Sequence, residues 1–303
     1  MEIVSRVENG QVIVERCLGE EQRAELPEQI EGCPVTALGD YAFSHAKPKT
    51  DDGDCAVCGE KLLEVQLPQS LRRIGNYAFY GCRKLERMTL YHQTEDIAGG
   101  AFTGCYRLRE LYVYMQNAWG YCLKDIVSEL RQELRVTLDY GDGTAAKLLF
   151  PEYYEEAVEN TPARILETHF HGSGYHYRQC FRDGELNFSE YDGLFGEAAA
   201  WESVDFCIEL SLLRLQQPYR LTEDAKGIYM AWLMEHRREA ASWCLAFEQQ
   251  EALEYLCTFI DWSADELFEL IREANEAGRM ESQSFLMDHK YRRRKQSVQS
   301  FEL

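Results

Sequence analysis

The chain has 303 residues, 45% of them hydrophobic and 28% charged, and carries a formal net charge of −20. That length supports one large domain or two ordinary ones, each with a core that needs no staples. The acidic balance argues against a general nucleic-acid or anionic-membrane binder, because phosphate contact needs a positive field, and no apolar run is long enough to span a bilayer.

The opening stretch MEIVSRVENGQ lacks a short basic region followed by an apolar core, so a cytoplasmic location is expected. The 11 cysteines are odd in number and scattered, which predicts reduced, buried side chains and no disulfide framework. VENGQVIVERCLG then predicts a hairpin turning at Asn9-Gly10. Farther along, IGNYAFYGCRKLERMTLY from Ile74 and IAGGAFTGCYRLRELYVY from Ile97 are spelled almost alike. Ala78 and Ala101, Cys82 and Cys105, Leu85 and Leu108, Met88 and Leu111, and Leu90 and Val113 are each 23 apart. An upstream copy is split. Leu62, Val65 and Leu67 keep the spacing of 23, but Ala42 precedes Ala78 by 36, so the two halves are pushed apart by an insertion.

A unit this short cannot bury its own apolar face, so a stacked solenoid is predicted. Alternation sends every second strand residue outward. The outward set is Glu64 and Gln66, then Arg87, Thr89 and Tyr91, then Glu110, Tyr112 and Tyr114. The last six are the candidate partner-binding residues, since exposed Tyr and Arg are frequent binding anchors; the plainer reading is that Tyr is a good strand former and that the second domain covers this face. The I-G-x-x-A-F-x-G-C spelling, over roughly residues 25–115, resembles the BspA-type leucine-rich repeat family. Several of its members are surface adhesins, a role that the expected cytoplasmic location does not carry over. What the resemblance implies is a strand face that binds other proteins.

The insertion holds Cys55-x-x-Cys58 followed by Gly59, a turn that can present two thiolates to zinc. His45 is a candidate third ligand and Cys33 a fourth; a redox pair and a loop with two idle thiols are the other readings. Beyond Trp119 the repeat spelling stops. YCLKDIVSELRQEL predicts a short helix, and ELRVTLDYGDGTAAKLLFP a hairpin at Gly141-Asp142-Gly143, either capping the solenoid or opening the next domain. ILETHFHGSGYHYRQCFRDGELNF then predicts three short strands. If the chain turns at Gly172-Ser173, His169 faces His176, with His171 on the same side and Cys180 nearby, a set able to hold a metal. The alternatives are sheet filler and a polar cluster of Tyr175, Tyr177 and Arg178.

From Phe195 the pattern turns helical, with an apolar stripe at Trp201, Val204, Ile208 and Leu212, a break at Pro218, a cap at Thr222 and a capping box at Ser263 and Glu266. ALEYLCTFI and SQSFLMDHK loosely resemble ankyrin-like helix pairs. KYRRRKQ fits the favourable charge of a helix C-terminus better than a nucleic-acid tail.

The fold class expected is α+β: a short leucine-rich repeat solenoid with an N-terminal β cap and the inserted loop over 1–118, a mixed capping or linking region over 119–194, and a helical array over 195–303. The function expected is a non-catalytic protein-binding module with an unidentified protein partner, no nucleic acid and no membrane. The alternative is a zinc-binding regulator or metal-dependent enzyme using Cys55, Cys58 and His45, or His169, His171 and His176.

Overall fold

Asn9 and Gly10 take left-handed backbone angles, φ 51° and 77°, which match the twist of the strands on either side. They join β1 (Glu2–Glu8) to β2 (Gln11–Leu18) as the predicted hairpin. The computed structural model describes residues 1–46, 58–116, 122–160 and 165–300, and the chain divides into two compact units, Met1–Glu202 and Ser203–Leu303.

In the first unit the chain winds between two sheets. The short strands β3 (Arg23–Glu25), β4 (Gln29–Ile30), β5 (Cys33–Leu38), β6 (Glu64–Gln66), β7 (Arg73–Ile74), β8 (Arg87–Tyr91), β9 (Asp96–Ile97) and β10 (Glu110–Tyr114) supply the turns. The repeat strands β5, β7 and β9, and β3, β6, β8 and β10, run parallel. One sheet runs β1-β2-β5-β7-β9, with β4 beside β5. The other runs β3-β6-β8-β10 and continues past the repeat spelling into β11 (Leu134–Asp139) and β12 (Ala145–Phe150). Register follows the repeat: Val65 pairs with Met88 and Met88 with Leu111, while Leu38 pairs with Ile74 across the insertion.

The A-F-x-G-C segment explains the stacking. Ala42, Ala78 and Ala101 are fully buried, and the next turn's alanine carbonyl accepts from the phenylalanine amide, Phe43 to Ala78 at 2.8 Å and Phe79 to Ala101 at 2.9 Å. Phe43, Phe79 and Phe102 form one column of stacked rings, with centroids 4.9 and 5.7 Å apart. Each cysteine thiol donates to the phenylalanine carbonyl of the preceding turn, Cys82 to Phe43 at 3.8 Å and Cys105 to Phe79 at 3.2 Å. The thiols are therefore internal fasteners. Among the described residues, Cys17, Cys33, Cys82, Cys105, Cys180, Cys207, Cys244 and Cys257 form no disulfide.

Gly59 stands 23 residues before Cys82, in the cysteine position of the upstream unit. A Cβ there would lie 1.9 Å from the Phe43 carbonyl oxygen and 2.7 Å from Cys82 Sγ. Its lack of a side chain is thus a packing requirement of the core. Gly59→Ala is expected to cost about 1–3 kcal/mol by overpacking, read as a lower urea midpoint; an unchanged midpoint would show that the turn simply moves aside.

Helix α1 (Cys122–Glu129) follows, as the sequence predicts, and β11 and β12 turn at Gly141-Asp142-Gly143, with the Tyr140 amide donating to the Thr144 carbonyl at 3.0 Å. β11 is parallel to β10, and β12 is antiparallel to β11. Beyond β12 the prediction needs correction. β13 (Tyr154–Asn160) pairs with β14 (Ile165–His171), so the strand carrying His169 and His171 turns back on the preceding segment, not on the following one. After Gly172 the chain enters α2 (Gly174–Tyr177), a short hairpin of β15 (Phe181–Arg182) and β16 (Glu185–Leu186), then α3 (Phe188–Gly193) and α4 (Phe195–Trp201). The Tyr191 hydroxyl donates to the Leu149 carbonyl at 2.7 Å and accepts from the Leu149 amide at 2.8 Å, closing the outer edge of β12.

The buried cation of this unit is Arg178, 2% exposed. Its Nε donates to the carbonyls of Val127 (3.0 Å) and Leu130 (2.8 Å), Nη1 to Pro151 (2.5 Å) and Gly174 (2.9 Å), and Nη2 to Gln132 (2.8 Å). Three of these carbonyls belong to the C-terminal end of α1 and the residues just after it, which have no further helical turn to bond them. Gly174 is held to glycine because a Cβ would sit 2.1 Å from the Pro151 oxygen.

The second unit consists of α5 (Val204–Gln216), α6 (Glu223–Glu235), α7 (Arg237–Ala246), α8 (Gln250–Phe259), α9 (Ala264–Glu276) and α10 (Met280–Ser300). Ser203 caps α5 and Thr222 caps α6, and Ser263 with Glu266 forms the predicted capping box. The predicted apolar stripe is corrected at its start: the helix breaks at Glu202-Ser203, leaving Trp201 66% and Val204 41% exposed, while Ile208 and Leu212 are buried with Phe206, Cys207, Leu210 and Leu215. α7 packs on α8 and α9, and α10 on α8 and α9. The turns of the two pairs match: Glu248 and Gly278 both have positive φ, and the amides of Gln249 and Arg279 reach back to the carbonyls of Cys244 and Ala274, each at 2.8 Å. Burial pushes the thiols of Cys244 and Cys257 up to about 12 and about 11. Among the described residues no helix is long and apolar enough to cross a membrane.

Candidate interaction surface

Every strand of the second sheet sends its odd-numbered or even-numbered residues to one outer face, so the solenoid converts sequence period into columns. The first column alternates in sign: Arg23, Glu64, Arg87, Glu110 and Arg135 lie side by side across five strands. Glu64 takes both neighbours, with Arg23 Nε at 3.4 Å and Arg87 Nη2 at 3.2 Å. Exposed pairs of this kind contribute little stability and chiefly neutralise this edge. The second column is Glu25, Gln66, Thr89, Tyr112 and Thr137, and the third sets Tyr91, Tyr114 and Asp139 in line.

All six residues expected to bind a partner lie on this face. Arg87, Thr89, Tyr91, Tyr112 and Tyr114 are half-buried and Glu110 is exposed. The rings of Tyr91 and Tyr114 stack at 4.7 Å, and Tyr112 meets Tyr114 edge-on at 4.9 Å. The Tyr112 hydroxyl donates to Asp139 Oδ2 at 2.5 Å, and the Gly141 amide donates to Oδ1 at 2.8 Å. That bond to Asp139, with burial second, pushes the Tyr112 hydroxyl up to about 12. Tyr91 is raised by burial first, then by Tyr114, Glu28 and Glu25.

Asp139, Glu25 and Glu28 are parts of this surface that the repeat pattern misses. Asp139 belongs to β11, whose inward Val136 sits 25 residues after Leu111 instead of 23, so the spacing no longer betrays it. The usable signal was the alternation in LRVTLD ahead of the Gly-Asp-Gly turn.

The described metal-ligand candidates are spread over several elements. Cys55 lies outside the described residues, and Cys58 opens a one-turn 3-10 helix, Cys58–Glu60. His45 is exposed, its ring beside Gly81, and Cys33 sits on β5. His169 is across from Glu156 on β13, and His171 pairs in register with Tyr154. The His171 ring stacks on Tyr154 at 4.4 Å, with Nε2 2.9 Å from Glu156 Oε2. His176 lies on α2, with Nδ1 2.6 Å from Glu197 Oε1. The expected juxtaposition of His169 with His176 is therefore corrected: the helix that starts after Ser173 replaces the predicted strand. Among the described residues no group of three or more His, Cys, Asp or Glu is arranged to hold a metal ion. Burial, with Glu190 next in effect, pushes the Cys180 thiol up to about 12, the opposite of what a thiolate ligand needs.

Residues 53–119 match the family model described as a BspA type leucine rich repeat region (6 copies). No curated protein matches the chain. Among solved structures, a leucine-rich repeat protein from Bacteroides ovatus ATCC 8483 is 23% identical over 37% of this chain and 30% of its own, with a TM-score of 0.29. A leucine rich cell surface protein from Faecalibacterium prausnitzii A2-165 is 19% identical over 38% of both chains, TM-score 0.26. The T. pallidum leucine rich repeat protein is 20% identical over 46% of this chain and 79% of its own, TM-score 0.23. The matched part thus spans 30% and 38% of the first two proteins' own lengths. The 23-residue period, the A-F-x-G-C spelling and the match over 53–119 agree in likening this segment to a BspA type leucine rich repeat region.

Proposed function

We propose that the protein is a non-catalytic interaction module that binds a protein partner on the outer face of β6, β8, β10 and β11. The observation that carries this reading is the register: Arg87, Thr89, Tyr91, Glu110, Tyr112 and Tyr114 form one contiguous patch in which three tyrosines contact one another. Aromatic rings held by neighbouring rings lose little conformational freedom on binding, which suits them as anchors. The face is broad and framed by ion pairs, a form that suits an extended protein surface better than a small molecule.

A photo-crosslinking benzoylphenylalanine placed at Thr89, in the centre of the face, is expected to give discrete protein adducts in lysate of the producing cell. The same group at Tyr106, 70% exposed and outside the strand ladder, is the control. Equal smears from both positions would remove the face from consideration.

A further inference from the structure

The strand face is not uniform in charge, and the difference points to what it takes. At one edge every carboxylate column neighbour is an arginine, and Glu64 is paired with two of them. Toward the tyrosines the carboxylates are Asp139, in line with Tyr91 and Tyr114, Glu25 in the second column on β3, and Glu28, with Lys147 of β12 in register with Thr137 on the same face. Glu28 accepts from the amides of Gln69 (2.7 Å) and Ser70 (3.1 Å), and Asp139 from Tyr112 and Gly141. Among the described residues none of these three carboxylates has a lysine or arginine within ion-pair distance, although the first column shows that the fold readily supplies one. Glu25 stands on β3, two strands from Thr89 of β8 in the column next to Tyr91.

Resting on the interaction role proposed above, we infer that the tyrosine side of this face receives an arginine or lysine side chain of an extended basic segment of the partner protein, seated over Tyr91 or Tyr114 and paired with the carboxylates. A cation over a tyrosine face is attracted by the ring quadrupole, more so once the contact is desolvated, and guanidinium also stacks flat on such rings. Asp139 at one end of the face and Glu25 and Glu28 at the other supply negative charge that the first column, neutralised by its own pairs, does not. Alternate side chains of an extended strand point to one side, so a segment with a basic residue at every second position presents its cations to one face. The net charge of −20 speeds encounter with such a segment but does not choose the seat.

The probe is a fluorescein-labelled dodecapeptide alternating arginine and serine, titrated with the full chain in about 0.15 M salt, where distant charges are largely screened. Glu25→Gln with Asp139→Asn, and separately Tyr91→Leu with Tyr114→Leu, are each expected to weaken binding by about fivefold or more. Glu239→Gln with Glu251→Gln, which removes the same charge from α7 and α8, is expected to leave it within about twofold; each variant's melting curve is checked against wild type, and Tyr91→Phe with Tyr114→Phe, which keeps the rings, should retain binding. Equal weakening by the helical control would mean diffuse attraction and overturn the inference, as would normal binding by the leucine variant. If the peptide fails to bind while adducts still form from position 89, the basic partner is wrong and the interaction face stands; if both fail, both fall.

Discussion

Arg178→Met is expected to lower the unfolding free energy by about 3–5 kcal/mol, among the largest single-residue effects in the chain. The guanidinium uses all its nitrogens on five carbonyls drawn from α1 and the residues after it, from the end of β12, and from α2. Methionine fills much of the volume but donates nothing, so five buried acceptors lose their partner at once, each at a cost of about 1–3 kcal/mol before relaxation and water entry. The cation itself tolerates burial: desolvation lowers Arg178 to about 10, so it remains charged at neutral pH, and the C-terminal end of α1 favours that charge. Arg178→Lys is expected to recover less than half of the loss, because an ammonium on a flexible stem cannot span carbonyls that a planar fork reaches together. Urea unfolding of the three proteins checks this; a methionine variant within about 1 kcal/mol of wild type would show that water replaces the clamp.

Phe79→Ala is expected to cost about 3–5 kcal/mol. The ring is fully buried between Phe43 and Phe102, nearly parallel to both at 14° and 5°, so its removal opens a gap in the middle of the column. Collapse is opposed by the backbone, since the Phe79 amide and carbonyl remain tied to Ala101 and to the Cys105 thiol. Because Phe43 touches the same ring, the double variant Phe43→Ala, Phe79→Ala should cost less than the sum of the singles, by about 0.5–3 kcal/mol. Strict additivity in denaturant titrations would mean that the rings do not act as one column.

The repeat made most of this legible in advance. A spacing of 23 determines which residues stack, and Tyr91 beside Tyr114 could be read from it alone because parallel register repeats with the unit. The capping box at Ser263 and the turn at Asn9-Gly10 were equally readable, since both are local chemistry. What failed was long-range pairing. β14 has two neighbours able to offer it a strand, and the acidic stretch YYEEAVEN carries no alternation that marks it as the partner chosen. Arg178 was harder still: in YHYRQC it looks like one polar residue of a turn, and only the convergence of three separate segments makes it a clamp. Asp139 was hidden by the change of spacing at β11.

The reversal of β12 bears on how such a protein can change over time. Repeat arrays commonly grow and shrink by duplication or loss of whole units. Here a copy appended beyond β12 would meet a strand running the wrong way, its Leu149 amide and carbonyl already satisfied by Tyr191. A copy inserted between Ile74 and Ile97 meets parallel neighbours on both sides, and shifts everything downstream by one strand spacing, about 4.8 Å. The lineage can thus lengthen its strand face from within, one row at a time, while the closing segment travels along unchanged.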